Sequence, residues 1–295
     1  MRAAVIVAGR LELQERPDPV PHEGEMLIRV RAAGINGADL AQRAGRYPPP
    51  PGAPPDVPGL ECAGETEDGA RVMALLPGGG HAELAVVHHT HVLPVPDGVD
   101  WPQAGGFVET FATAHDALFT QAQLREGDRL LVNGAAGGVG TAAVQLGVQA
   151  GAQVTGTARH HREELEDLGA DTEPSGVYDV ILELVGGRNL AENLERLAPQ
   201  GRIAVIGTGA GASAEVNFGL LMRKRGRVHG SMLRARSVEE KADVVRRLEE
   251  HALPLLAAGR VTVPVHETFP LERAQEAYDR FASGGKFGKL VLSVA

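Results

Sequence analysis

Arg129-Leu-Leu-Val-Asn133, then Gly134-Ala-Ala-Gly137-Gly-Val-Gly140, then an Ala-rich stretch to Ala150, reads as a strand, a glycine turn and a helix. The apolar run suits a strand buried on both faces of a parallel sheet. The turn delivers backbone N–H groups to the start of a helix, whose dipole adds partial positive charge, so the unit is built to hold an anion. Gly137 lets the backbone approach a pyrophosphate, and Gly140 permits close helix–strand packing. Ala135 stands where the first glycine of a G-x-G-x-x-G pattern falls. A tight turn with no ligand is the alternative; the strand before and the helix after favour a dinucleotide.

Downstream, strands and helices alternate. Strands are expected at Gln153 to Ala158, Tyr178 to Leu184 and Arg202 to Gly207. Helices are expected at Arg162 to Leu168 and Leu190 to Leu197. That alternation predicts a doubly wound parallel sheet of the Rossmann kind. Upstream the chain is strand-like and broken by turns, with Tyr47-Pro-Pro-Pro-Pro51-Gly52 excluded from helix and central strand. Strands at Met26 to Ala32, Ala70 to Leu75, Ala82 to Val87 and His91 to Val95 predict a small antiparallel β domain. Pro102 to Leu118 and Val238 to Leu256 read as helical. A strand near Val261 to Val265, a helix over Leu271 to Phe281 and a strand at Lys289 to Val294 close the chain and are expected to return to the N-terminal domain. The fold expected is α/β, with a β-rich domain over 1–112 and 256–295 and a Rossmann domain over 113–255.

The residues closing the second strand bear on the cofactor. An NAD site usually places an acid about 20 residues after the turn to hold the ribose 2′-hydroxyl. Here Thr157-Ala-Arg159-His160-His161-Arg162 carries no acid before Glu163. Arg159 can grip a 2′-phosphate with its planar fork, which points to NADPH; an exposed cation at a strand end is the alternative.

Charge and composition narrow the classes. The 295 residues are 43% hydrophobic, and 38 Gly and 19 Pro punctuate many short elements. A net charge of −9 disfavours nucleic acid as a partner. The cluster Arg223-Lys224-Arg225-Gly226-Arg227 reads as a solvated helix end. The single cysteine, Cys62, allows no internal disulfide or Cys-rich metal site and reads as a small core residue. With no membrane span and no signal segment expected, a cytoplasmic address follows.

Several stretches resemble the zinc-free NADPH:quinone oxidoreductases of the medium-chain dehydrogenase/reductase superfamily. They are Gly34-Ile-Asn36-Gly-Ala-Asp39-Leu, Gln42-Arg-Ala-Gly45-Arg-Tyr47-Pro-Pro-Pro-Pro-Gly52, Gly59-Leu-Glu61-Cys-Ala-Gly64, Glu109-Thr-Phe111-Ala-Thr113, Gly230-Ser-Met-Leu-Arg-Ala-Arg-Ser237 and Gly288-Lys289-Leu-Val-Leu292. The resemblance implies a GroES-like β-rich catalytic domain, a Rossmann domain, a cleft between them, NADPH and a homodimer. It places cofactor contacts at Asn36, Tyr47, Thr113, the turn residues Ala136, Gly137, Gly138, Val139 and Gly140, then Thr157, Arg159, His160, Gly207, Met232, Leu233 and Lys289. The chain departs from the pattern by being short after Gly64 and between Asp171 and Tyr178, where the family has a further strand region.

Zinc alcohol dehydrogenases share this fold, and their ligands would fall at Asn36 and Leu60. Asn is a poor zinc ligand and Leu is none. His88, His89 and His91 are suggestive, but neighbours in a strand point to opposite faces, so no metal is expected there. His81, after three glycines, reads as a loop residue. Without a Lewis acid a simple ketone is hard to polarise, whereas a quinone or enone is already electron-poor and needs chiefly alignment. The expected mechanism sets Asn36 and Tyr47 beside the nicotinamide as catalytic residues, with water or Tyr47 supplying protons to a small-molecule quinone; a turn residue at Asn36 and a plug packed on the prolines at Tyr47 are the alternatives. A zinc-free enone or enoyl reductase shares every motif. A non-enzymatic NADPH-binding structural or regulatory protein is the reading of another class.

Overall fold

The computed structural model describes all 295 residues, which divide into two compact units, Met1–Ala112 with Leu233–Ala295, and Thr113–Met232. The first unit starts with β1 (Arg2–Val7), β2 (Arg10–Glu15), β3 (Glu25–Ile35), α1 (Gly37–Arg43), β4 (Glu61–Glu65), β5 (Arg71–Leu75), β6 (Leu84–His88), β7 (Val92–Pro94) and α2 (Trp101–Gly105), followed by α3 (Val108–His115).

In the second unit, β8 (Arg129–Asn133), α4 (Gly138–Gln149), β9 (Gln153–Thr157), α5 (Arg162–Asp167), β10 (Tyr178–Glu183), α6 (Leu190–Glu195), β11 (Leu197–Val205), α7 (Phe218–Lys224) and β12 (Arg227–Gly230) follow in alternation. The chain then gives the first unit α8 (Val238–His251), α9 (Leu253–Ala257), β13 (Val265–Pro270), α10 (Ala274–Ala282) and β14 (Lys289–Ser293).

The second unit holds an all-parallel sheet in the order β12-β11-β10-β8-β9. Leu131, Ile181 and Ile203 sit in a core with Tyr178, Leu194 and Leu197. The order reverses between β8 and β10, and ligands of open parallel sheets bind beyond the strand ends at such a point. The shortened stretch after Asp171 forms a single parallel bridge, Thr155 to Asp171, where a further strand would otherwise flank β9. The Rossmann sheet is therefore five-stranded.

The first unit is built on a seven-stranded sheet, β13-β14-β3-β4-β5-β7 with β6 also on β3, and a separate β1–β2 pair. Its core gathers Ile28, Ile35, Cys62, Leu290, Leu292 and Tyr278. The chain's last strand lies between β3 and β13, as the return of the tail to the N-terminal domain requires.

Three local expectations are corrected. The segment 233–255, expected with the Rossmann domain, belongs to the first unit, because α8 turns Val244, Val245 and Leu248 inward and His91 Nε2 lies 2.9 Å from the Val238 carbonyl. The strand expected from Val261 begins at Val265, since Val261 N–H is tied to the Leu255 carbonyl and Pro264 has no N–H to offer a ladder. His88 and His89 do not point apart: β6 ends at His88, a 3-10 turn follows, and their rings stack at 4.6 Å.

Candidate functional site

The turn after β8 is fixed by backbone alone. Gly134 takes φ +84, and the N–H groups of Gly134 and Ala135 both donate to the Thr157 carbonyl, at 3.0 and 2.9 Å. Gly137 is the N-cap of α4 and offers no side chain, so first-turn N–H groups, which lack carbonyl partners within a helix, are left for a ligand. A Cβ on Gly140 would lie 2.5 Å from the Gly134 oxygen and 2.6 Å from that of Ala135. A Cβ on Gly137 would meet nothing closer than 3.6 Å, so the open side of the turn has room. Ala135 is fully buried, and a Cβ on Gly156 would meet its methyl at 2.9 Å; the alanine is accommodated because the facing strand residue is glycine. Gly207 is likewise demanded by the Leu184 carbonyl beside it.

Around that turn, Thr157 and Ala158 are partly exposed at the end of β9, and Arg159 and His160 are exposed. Thr113 and Gly207 are partly exposed and Met232 is exposed. The basic cluster is where α7 ends: Arg223, Arg225 and Arg227 are exposed and Lys224 caps the Leu197 carbonyl.

Beneath the strand ends runs a polar row that sequence reasoning missed. Thr157, Asn133 and Glu183 end adjacent strands in register. The Glu183 carboxylate, 2% exposed, accepts from Asn133 and Asn193 Nδ2 at 2.9 and 2.8 Å and from the N–H groups of Val185 and Gly186 at 2.7 and 2.8 Å. The signal was there: Leu-Leu-Val-Asn133 and Val-Ile-Leu-Glu183 each end an apolar run in a polar residue.

In the first unit a second cluster centres on Asn36, the N-cap of α1. Asp39 at N3 reaches back to the Asn36 N–H (2.8 Å) and also accepts from Gly59 N–H (2.9 Å), which fixes the chain on either side of β4's approach. Asn36 is 9% exposed, and both ends of its amide are engaged: Nδ2 donates to Glu61 Oε1 at 2.9 Å, and Oδ1 accepts from Lys289 Nζ at 2.8 Å. Lys289 Nζ lies 2.6 Å from Glu61 Oε1 and also donates to the Ile35 carbonyl at 3.1 Å. Glu61 Oε2 accepts from Glu109 N–H at 3.0 Å. Lys289, expected as a direct cofactor contact, is 2% exposed with its ammonium hydrogens on protein partners. Its ammonium is held beside the Asn36 amide. Leu233 is buried too.

Tyr47 is partly exposed and its ring faces the Arg234 guanidinium at 5.1 Å. Arg234 is buried and donates to the carbonyls of Pro77 and Tyr47 and to Gln42 Oε1, pinning the proline loop. Burial, then the charge of Glu109, raises the Tyr47 phenol above its usual value, with Arg234 opposing. His81 is buried rather than a surface loop residue: Nε2 bonds the Gly34 carbonyl at 3.2 Å and Nδ1 meets Tyr278 Oη at 2.9 Å. Because a carbonyl only accepts, Nε2 carries the proton and Tyr278 donates to Nδ1. Burial holds this imidazole below its usual value.

The donors fit a zinc ion poorly. The Asn36 amide and Glu61 are committed to Lys289 and each other, Leu60 is buried and apolar, and burial with the Glu61 charge pushes the Cys62 thiol up to about 12. No group of three or more His, Cys, Asp or Glu is placed to hold a metal ion.

Known proteins agree with this architecture. Residues 22–97 match the alcohol dehydrogenase GroES-like domain, and residues 149–292 match the family described as zinc-binding dehydrogenase. The rat (Rattus norvegicus) quinone oxidoreductase is 31% identical over 93% of this chain and 90% of its own length. The human (Homo sapiens) synaptic vesicle membrane protein VAT-1 homolog-like is 31% identical over 99% of this chain and 80% of its own. Among solved structures, the quinone oxidoreductase of Thermus thermophilus, determined also in complex with NADPH, superimposes with a TM-score of 0.87 at 33% identity, over 99% of this chain and 100% of that one. The chain belongs to the quinone oxidoreductase family of the medium-chain dehydrogenase/reductase superfamily.

Proposed function

We propose that the protein is an NADPH-dependent, zinc-independent reductase of quinones. The observation that carries the reading is the turn Gly134–Gly140 with exposed Arg159 and no acid at the end of the second strand. The N–H groups opening α4 would hold the pyrophosphate, with Ala136, Gly138 and Val139 contributing backbone, and Arg159 would hold the 2′-phosphate, with His160 beside it. Bound NADPH supplies a hydride. Reduction of a quinone to a hydroquinone by that hydride also needs one proton. The Tyr47 phenol, raised by burial, stays protonated at neutral pH and can donate one, water replacing it. Asn36, with Glu61 and Lys289 fixing which end of its amide faces which way, orients the reacting partners. Thr113, Gly207, Met232 and the backbone of Leu233 complete the proposed contacts. No helix is long and apolar enough to cross a membrane.

A homodimer is also proposed. β12 is an edge strand of the parallel sheet with Val228 exposed, and the preceding α7 exposes Phe218 (69%) and Met222 (75%). Edge strands of this kind pair readily with another copy.

The test is titration with NADPH and NADH by cofactor fluorescence, then oxidation assays with 9,10-phenanthrenequinone beside an alkenal. Tighter NADPH binding and rapid quinone turnover, reduced in Asn36→Ala and Tyr47→Phe, is the expected result. Turnover of the alkenal alone would transfer the protein to the enone reductases. Unchanged turnover and affinity in both variants would remove Asn36 and Tyr47 from the assignment.

A further inference from the structure

With Glu183 an ionised carboxylate, the polar row at the C-terminal edge of the parallel sheet has one consistent arrangement of hydrogens. Glu183 accepts hydrogen bonds at both oxygens, two of them from backbone N–H groups that can do nothing but donate. Those two fall on Oε1; Asn133 and Asn193 meet Oε2, and because an ionised carboxylate oxygen only accepts, the atoms they turn to it are amide nitrogens. With Asn193 so fixed, its Oδ1 faces Asn133 and accepts a second hydrogen from Nδ2, at 2.8 Å. Both hydrogens of the Asn133 amide are then used, and its carbonyl oxygen faces Thr157. Thr157 has to donate to that oxygen, at 2.9 Å, and its single hydroxyl hydrogen is spent inward. What its oxygen presents outward, at a partly exposed strand end whose carbonyl anchors the glycine turn, is lone pairs only.

We propose that Thr157 is an acceptor-only contact for a hydrogen-bond donor on the adenosine half of the bound dinucleotide, its polarity set by the row Glu183–Asn133–Thr157. The inference rests on the dinucleotide reading above. It follows that two residues two positions apart divide the recognition. Thr157 cannot hold a phosphate, whose oxygens are themselves acceptors, so it favours NADH and NADPH alike. Arg159 alone discriminates between them.

The experiment measures dissociation constants of NADPH and NADH by fluorescence for the wild type and for Thr157→Val, Thr157→Ser, Arg159→Ala and Glu183→Gln. Loss of one neutral hydrogen bond weakens binding about 2- to 10-fold. Thr157→Val is expected to weaken both cofactors by the same factor in that range, and Thr157→Ser to restore both. Arg159→Ala is expected to weaken NADPH alone. Glu183→Gln keeps the shape but lets the amides turn over, so the penalty of Thr157→Val should shrink in that background. The hypoxanthine analogue of NADPH, which lacks the adenine amine, identifies the donor. A penalty that persists with it belongs to a ribose hydroxyl, and one that vanishes belongs to the amine. Unchanged affinity in Thr157→Val, no rescue by serine, or weakening of NADPH alone would overturn the proposal while leaving the dinucleotide site standing. A wild type that binds neither cofactor would take down both.

Discussion

The glycine turn after β8 and the Asn36–Glu61–Lys289 cluster are made of opposite materials. The turn is backbone: its shape is held by N–H groups on the Thr157 carbonyl and by positions where no Cβ fits. The cluster is side chain, a buried ion pair holding an amide, joined across 25 and 228 residues of sequence. A backbone site loses function when atoms are added to it. A buried charge site loses stability when atoms are taken away. The two regions should therefore fail differently.

The largest effect is expected at the ion pair. Lys289→Met leaves Glu61 buried without its cation, and breaking a buried pair from one side costs about 3–5 kcal/mol. Urea denaturation would read it. The double variant Glu61→Leu, Lys289→Met removes both charges and should recover most of the loss, since a well-packed apolar pair is often no worse than a buried salt bridge. If Lys289→Met alone cost under about 1 kcal/mol, the pair would have to be reached by water, and the contrast with the turn would weaken.

Next comes Gly140→Ala. The new methyl would press on two carbonyl oxygens of the turn, which cannot yield as a side-chain tip can, and overpacking of this sort costs about 1–3 kcal/mol. Thermal melting measures it, and dinucleotide affinity should fall with it because the turn must open. A variant that melts like the wild type would show the turn to be softer than its contacts suggest.

How much of each region could be read in the sequence follows from the same contrast. The turn, its strand and its helix are contiguous, and glycine spacing reports backbone constraints directly, so Gly137 and Gly140 were legible. The strand–helix alternation gave the Rossmann unit for the same reason. Glu61 was not legible, because burial of a carboxylate depends on partners far along the chain; Glu183 was marked by the polar end of its apolar run, but its pairing with Asn133 and Asn193 was not. Asn36 was picked out only through the family pattern, and the pattern could not say that its amide is held at both ends. His81 looked like a loop residue from its three glycines, yet those glycines are what let the chain bring an imidazole under β3. The boundary near 255 failed because the helical period of α8 says that one face is buried and does not say against what.

His81 supplies a smaller, pH-dependent difference. The folded protein keeps it neutral, accepting from Tyr278 and donating to Gly34, and its pKa lies below the usual 6.5. The unfolded chain therefore binds a proton that the folded chain refuses, and stability rises with pH in that window. The contribution is full above about 6.5 and is lost as pH falls toward the depressed folded value, at up to about 1.4 kcal/mol per pH unit. Urea midpoints at successive pH values from 7 downward should show the decline, and His81→Gln, which does not titrate, should flatten it. Equal acid sensitivity in both chains would place the cause elsewhere.

Gly137→Ala should change stability least and separates the two kinds of site most cleanly. The residue sits at φ −79 and ψ 170, which alanine adopts without strain, and its Cβ would find only ordinary contact. Removing glycine from the unfolded ensemble gains about 0.4–1 kcal/mol. Alanine is a poorer N-cap than glycine by a comparable amount, so the two nearly cancel and melting should stay within about 1 kcal/mol of the wild type. The methyl nevertheless stands on the open side of the turn, where a pyrophosphate would approach the backbone. NADPH affinity should fall by at least tenfold in a protein that is otherwise as stable as before. Equal affinity would mean that no ligand comes close to Gly137, and the turn would then be no more than a way of joining β8 to α4.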